Sequence, residues 1–169
     1  MIQKNIECIN YLQNLTLNEL KELNLSSCGI TDIKFLEKLK FDKLELLNLR
    51  GNKISNINIL AKVNFNTLKC LDLSSCGITD IKFLEKVKFD KLEKLDLSWN
   101  KVININILEK VNFNELKELN LSYCGITDIK FLEKLKFDKL EKLDLDGNKI
   151  SNINILENVN FNKFKYIFK

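Results

Sequence analysis

A chain of 169 residues is long enough to bury one substantial core, and it suits a single domain. A net charge of +4, with Lys and Glu interspersed, argues against the clustered basic footprint of a nucleic-acid binder. There is no apolar run of membrane-spanning length and no signal-type stretch in MIQKNIECIN, so no membrane partner is expected, and the five cysteines are read as reduced thiols of a cytoplasmic protein.

In chain order, residues 1–19 read as half a repeat, with Ile6, Ile9, Leu12, Leu15 and Leu17 at its apolar positions. Six 24-residue copies then fill residues 20–163 without insertion or deletion, opening at Leu20, Leu44, Leu68, Leu92, Leu116 and Leu140. Phe164 opens a seventh strand, residues 164–169, in which Ile167 continues the column of Leu143. Within each copy, positions 3 to 8 alternate apolar and polar, which predicts a short strand, and successive strands should stack in parallel. Asp or Asn at position 13 is expected to cap a short helix built from sequence such as FLEKLKF. Position 22 is Phe in all six copies, from Phe41 through Phe65, Phe89, Phe113 and Phe137 to Phe161, and predicts an aromatic row in the core. No copy can bury its own leucines, so each depends on its neighbours.

The copies alternate in kind. SSCGITDIKFLEK at residues 26–38 recurs letter for letter at 74–86 and as SYCGITDIKFLEK at 122–134, whereas the even copies carry NKISNINIL-type sequence. This points to duplication of a 48-residue pair. Position 2 alternates Lys21, Glu45, Lys69, Glu93, Lys117, Glu141 and Lys165, which sets opposite charges on neighbouring strands about 4.8 Å apart. Positions 15 and 21 alternate Lys with Asn, which moves like charges to twice that spacing.

The pattern L-x-x-L-x-L-x-x-N/C-x-I resembles the leucine-rich-repeat family, and its I-x-x-I-x-x-L continuation looks like the internalin and phosphatase-regulatory types. The resemblance implies an α/β fold: a right-handed solenoid with a parallel sheet on its concave face and short helices on its convex face. It also implies that Cys28, Asn52, Cys76, Asn100, Cys124 and Asn148 form a buried structural ladder satisfying backbone groups in the turn after each strand. By function it implies adaptor, regulatory or host-interaction roles through protein binding.

Strand spacing puts Cys28, Cys76 and Cys124 about 10 Å apart in sequence, too far for a disulfide or for one tetrahedral metal site. Cys70, at position 3, is expected as a free thiol on the concave side. Without His the commonest general base is missing, and the five glycines sit at repeat turns rather than in a phosphate loop. Neither an enzyme nor a bound metal or cofactor is expected. Asp72 and Asp96 would be close enough to share a hard cation, but a polar concave face is the plainer reading.

Columns that vary are where a partner would bind. Position 7 departs from Ser at Arg50 and Asp146, position 8 departs from Ser or Gly at Trp99 and Tyr123, Leu46 adds an apolar group near Arg50, and Ile103 interrupts a Thr/Ser series. A protein or peptide is therefore expected on the concave face, with Trp99 and Tyr123 as anchors. Asp72, Asp96, Asp144 and Asp146 favour basic groups on that partner, and Arg50 marks the other end. The alternative for the two aromatics is that they simply pack on each other. A second reading of the whole chain is a structural element, or a piece of a longer array, that associates through uncapped solenoid ends.

Overall fold

A computed structural model of the chain describes residues 18–157 and the backbone of 165–167. The half repeat with Ile6, Ile9, Leu12, Leu15 and Leu17, and the residues Phe161, Phe164 and Phe168, lie outside the described residues. Seven strands form one parallel sheet in sequence order: β1 (Glu22–Asn24), β2 (Leu46–Asn48), β3 (Cys70–Asp72), β4 (Lys94–Asp96), β5 (Glu118–Asn120), β6 (Lys142–Asp144) and β7 (Lys165–Ile167). From β1 to β6 each residue pairs with the one 24 positions on, Leu23 with Leu47 and so forth, so sequence period and sheet register coincide.

The strands are shorter than the alternation at positions 3 to 8 predicts, and position 5 explains why. In all six copies its Asn or Asp Oδ1 accepts the N–H two residues on, at 2.8–3.0 Å. That local side-chain bond bends the backbone out of regular strand geometry. Bonds between copies nevertheless continue past the bend, as when Leu25 N–H donates to the Asn48 carbonyl and Ser27 N–H to that of Arg50.

Behind the sheet, Leu47, Leu49, Leu71, Leu73, Leu95 and Leu97 are buried, and the Phe row follows. Phe41, Phe65, Phe89, Phe113 and Phe137 run ring to ring with centroids 5.7, 6.0, 6.0 and 5.8 Å apart. Opposite the sheet lie single 3-10 turns: Lys34–Lys38, Ile57–Lys62, Lys82–Glu85, Ile105–Glu109, Lys130–Lys134 and Ile153–Glu157. Spacing accounts for that choice. Strands repeat every ~4.8 Å, while packed α-helices need roughly 8–10 Å between axes; the slimmer 3-10 turn narrows the mismatch. What mismatch remains leaves the sheet on the shorter, inner side of an arc.

Helix capping takes a different form from the one expected. None of the first five turns has a side-chain bond from its N-cap residue. In odd copies Asp32, Asp80 and Asp128 sit one residue earlier and accept the N–H of Lys34, Lys82 and Lys130. That N–H is the largest cause holding all three carboxyls below the usual aspartate value. In even copies Asn56, Asn104 and Asn152 reach back to the preceding copy, each donating to the matching Asp at 2.7 Å and accepting the N–H of Ile33, Ile81 or Ile129.

The expected ladder has the same polarity. Asn100 Oδ1 accepts the N–H groups of Cys76 and Ile78, and its Nδ2 donates to the carbonyls of Leu73 and Leu97. Asn148 repeats this on Cys124, Ile126 and Leu121, and Asn52 on Ile30 and Leu25. The cysteines do less: Cys76 and Cys124 are buried, and each thiol reaches one carbonyl of the preceding copy, Leu49 or Leu97, at 3.1 Å. Copies 1–2, 3–4 and 5–6 are thus clasped by asparagines. The seams 2–3 and 4–5 are held by thiols and by the position-2 charges, with Lys69 to Glu45 and Lys117 to Glu93 both at 2.8 Å.

The register breaks once. β7 pairs Leu143 with Tyr166, not with Ile167, and Lys165 with Lys142, one residue off the 24-residue period. The expected places of Ile167 beside Leu143 and of Lys165 beside Glu141 are therefore corrected. The seventh copy carries Lys169 where the others have an inward Leu at position 6, so one of the two apolar anchors that pin register is missing.

Candidate binding surface

The structure divides the eight candidate residues between a floor and a rim. Leu46, Asp72, Asp96 and Asp144 line a concavity of about 380 Å³ on the open face of the sheet, together with Cys70, Lys94 and Glu118. Arg50, Trp99, Tyr123 and Asp146 lie beyond the strand ends, at positions 7 and 8 of the turn. On the floor, charges are mostly occupied. Lys94 Nζ is 2.7 Å from Glu118 Oε1, Asp72 Oδ1 also accepts the Ser74 hydroxyl, and Asp96 Oδ2 accepts the Asn120 amide. Among the described residues no three Asp, Glu, Cys or His side chains converge as metal ligands would.

Cys28, Cys70, Cys76 and Cys124 are free. Burial pushes Cys76 and Cys124 up to about 11, outweighing the backbone N–H groups that reach them. Cys70 is half-buried rather than fully exposed, and burial raises its thiol too, against the pull of Lys94.

On the rim, position 8 adopts positive φ in every described copy: Ser27 54°, Gly51 70°, Ser75 54°, Trp99 58°, Tyr123 53° and Gly147 65°. A bulky residue there strains the backbone by about 1–2 kcal/mol. Trp99 stands where its sister even copies carry Gly51 and Gly147, and Tyr123 where its sister odd copies carry Ser27 and Ser75. The fold does not require either ring. Both remain exposed, Trp99 by 59% and Tyr123 by 44%, although they stack on each other with centroids 4.1 Å apart and planes 10° from parallel. Mutual packing and a solvent-facing surface are therefore both present.

Ile103 extends this departure. Its sister residues Ser55 and Ser151 donate their hydroxyls to the carbonyls of Thr31 and Thr127, whereas Ile103 keeps only the backbone bond to Thr79 and is 73% exposed. A Cβ placed on Gly147 would lie 2.4 Å from the Tyr123 ring, so that ring lies over copy 6 and needs Gly beneath it. Gly147→Ala should displace Tyr123, break the stack, and cost about 1–2 kcal/mol through the positive φ alone. Near-UV circular dichroism of the aromatic pair reads the first effect and urea denaturation the second.

Sequence reasoning missed two columns. In the sequence position 5 reads as a polar concave face, a partner surface and, at Asp72 and Asp96, a possible cation pair, and none of these readings contains the turn bond it makes in all six copies. Position 13 reads in the sequence as a cap, while its Asp/Asn alternation, visible there too, marks which copies are clasped.

Comparison with known proteins agrees with this frame. The family described as Leucine Rich repeats (2 copies) matches residues 18–62 and 114–158, and Leucine Rich repeat matches 66–81 and 91–109. No curated protein sequence matches the chain. Among solved structures, an internalin C2 from Listeria monocytogenes is 20% identical with a TM-score of 0.64, covering 96% of this chain and 91% of its own. A second internalin from that organism is 22% identical with a TM-score of 0.62, covering 97% of this chain. A leucine-rich-repeat protein of Leptospira interrogans is 29% identical with a TM-score of 0.60, covering 96% of this chain. The chain spans 54% and 39% of the length of those last two. A 24-residue sheet register, a Leu and Phe core behind it, a buried Asn/Cys ladder and a family match over more than half of the residues lead to one assignment: the chain belongs to the leucine-rich-repeat family.

Proposed function

We propose that this protein is a non-enzymatic binding module that holds a protein or peptide partner across the concave face and its rim. Trp99 and Tyr123 serve as anchors, and Asp96, Asp144 and Asp146 draw basic groups toward their end. The observation that carries this reading is Trp99 itself. It is a solvent-exposed indole in left-handed backbone, at a position where two sister copies use Gly. Aromatic side chains of this kind dominate interface energetics.

The test returns both aromatics to their sister residues, as Trp99→Gly with Tyr123→Ser. Losing the stack costs about 0.5–1.5 kcal/mol, while relieving the Trp99 backbone returns about 1–2 kcal/mol, so stability should change little. Affinity capture from the native host's lysate, wild type beside the double variant, should show a protein lost with the variant alone. Equal capture by two equally stable proteins overturns the reading.

A further inference from the structure

Resting on that reading, we propose that the bound segment is an extended peptide lying across the strands along the rim with a set charge order. An acidic side chain sits at Arg50, an aromatic or apolar one at Trp99, and a basic one at Asp146. The chain has 27 Lys and Arg residues, and Arg50 is the sole arginine, just as Trp99 is the sole tryptophan. Both stand on the rim. At position 7 four copies carry Ser, and the two departures are opposite in sign and four copies apart, Arg50 in copy 2 and Asp146 in copy 6. Midway between them stands Trp99.

Geometry gives the segment its length. Four strand spacings of ~4.8 Å make about 19 Å, which seven extended residues cover at roughly 3.3 Å per step; side chains 1, 3, 5 and 7 share one face, so with the ends at Arg50 and Asp146 the third side chain comes down between Ser75 and Trp99. Tyr123 lies over Gly147 and is covered from the other side by Trp99, so the free face of the indole looks back toward Ser75. There the rim is low: Ser75 and Gly51 fill position 8, and nothing lies within 4 Å of a Cβ built on Gly77. Arg50 is exposed, and among the described residues no carboxylate lies within ion-pair distance of it. An unpaired guanidinium is a planar, two-pronged receptor for a carboxylate, a role lysine fills poorly.

The sole indole is its own reporter. Blocked heptapeptides are titrated while Trp99 fluorescence is followed: one with Glu first, Phe third and Lys last, one with Lys at both ends, one with Glu at both ends, each keeping the Phe, and the first with Ser for Phe. The mixed probe should bind about tenfold more tightly than either same-charge probe, and the Ser probe should fail. With Arg50→Glu, an exposed change that leaves the core untouched, the preference should pass to the probe with Lys at both ends. If the double-Lys probe matches the mixed one on the wild type, the charge order is wrong while the concave binding module stands. If no probe moves the fluorescence at millimolar concentration, this proposal fails, and loss of capture by the Trp99/Tyr123 double variant still decides the broader one.

Discussion

Replacing Phe89 with Ala should destabilise the protein by about 3–5 kcal/mol. Phe89 is buried in the middle of the aromatic row, with Phe65 and Phe113 each 6.0 Å away between centroids. Removing it opens a cavity that neither neighbour can fill, because each ring is fixed by its own copy. A solenoid's stability is largely the sum of contacts between adjacent copies, so the loss falls on both interfaces of copy 3. Urea denaturation followed by far-UV circular dichroism measures it. A loss below about 1 kcal/mol would show that the row is not the main seam of the core.

Asn100→Ala should cost about as much, near 3 kcal/mol or more, although it removes far less apolar surface. The Asn100 side chain joins two buried N–H groups, of Cys76 and Ile78, to the carbonyls of Leu73, Leu97 and Ser98. Alanine leaves the two N–H groups and the Leu73 carbonyl without a partner in a space closed to water, while Leu97 keeps the Cys124 thiol and Ser98 the Ser75 N–H, and each unpartnered group costs about 1–3 kcal/mol. Cys76→Ala is the matched control. That thiol makes one short bond, to the Leu49 carbonyl, and should cost distinctly less. Equal losses at the two positions would overturn the distinction between clasped and unclasped interfaces.

The fold was legible in the sequence because its physics is periodic. A fixed interval of 24 residues sets the sheet register, and the Leu and Phe columns report burial without any knowledge of angles. What escaped was everything decided by side-chain direction. Asn56 and Asp32 occupy equivalent positions, yet one reaches back to the preceding copy and the other folds onto its own backbone. Polarity alone does not separate those choices. Trp99 and Tyr123 were recognisable as departures, but their left-handed backbone was not, since Ser and Gly in the same column are ordinary turn residues. The slip at β7 was written in Lys169, where the repeat asks for Leu, and reading only the apolar matches hid it.

The alternation of clasped and unclasped joints bears on how such a chain can change length. Excising one 48-residue pair brings together two ends that already match: an asparagine copy meets a cysteine copy, as at every existing unclasped joint. Excising a single 24-residue copy does not. Loss of copy 3 would set Glu93 against Glu45 and leave Asn104 facing Asn56 instead of Asp80. Two repeats are therefore the smallest step by which this array can lengthen or shorten while keeping the kinds of joint it already has.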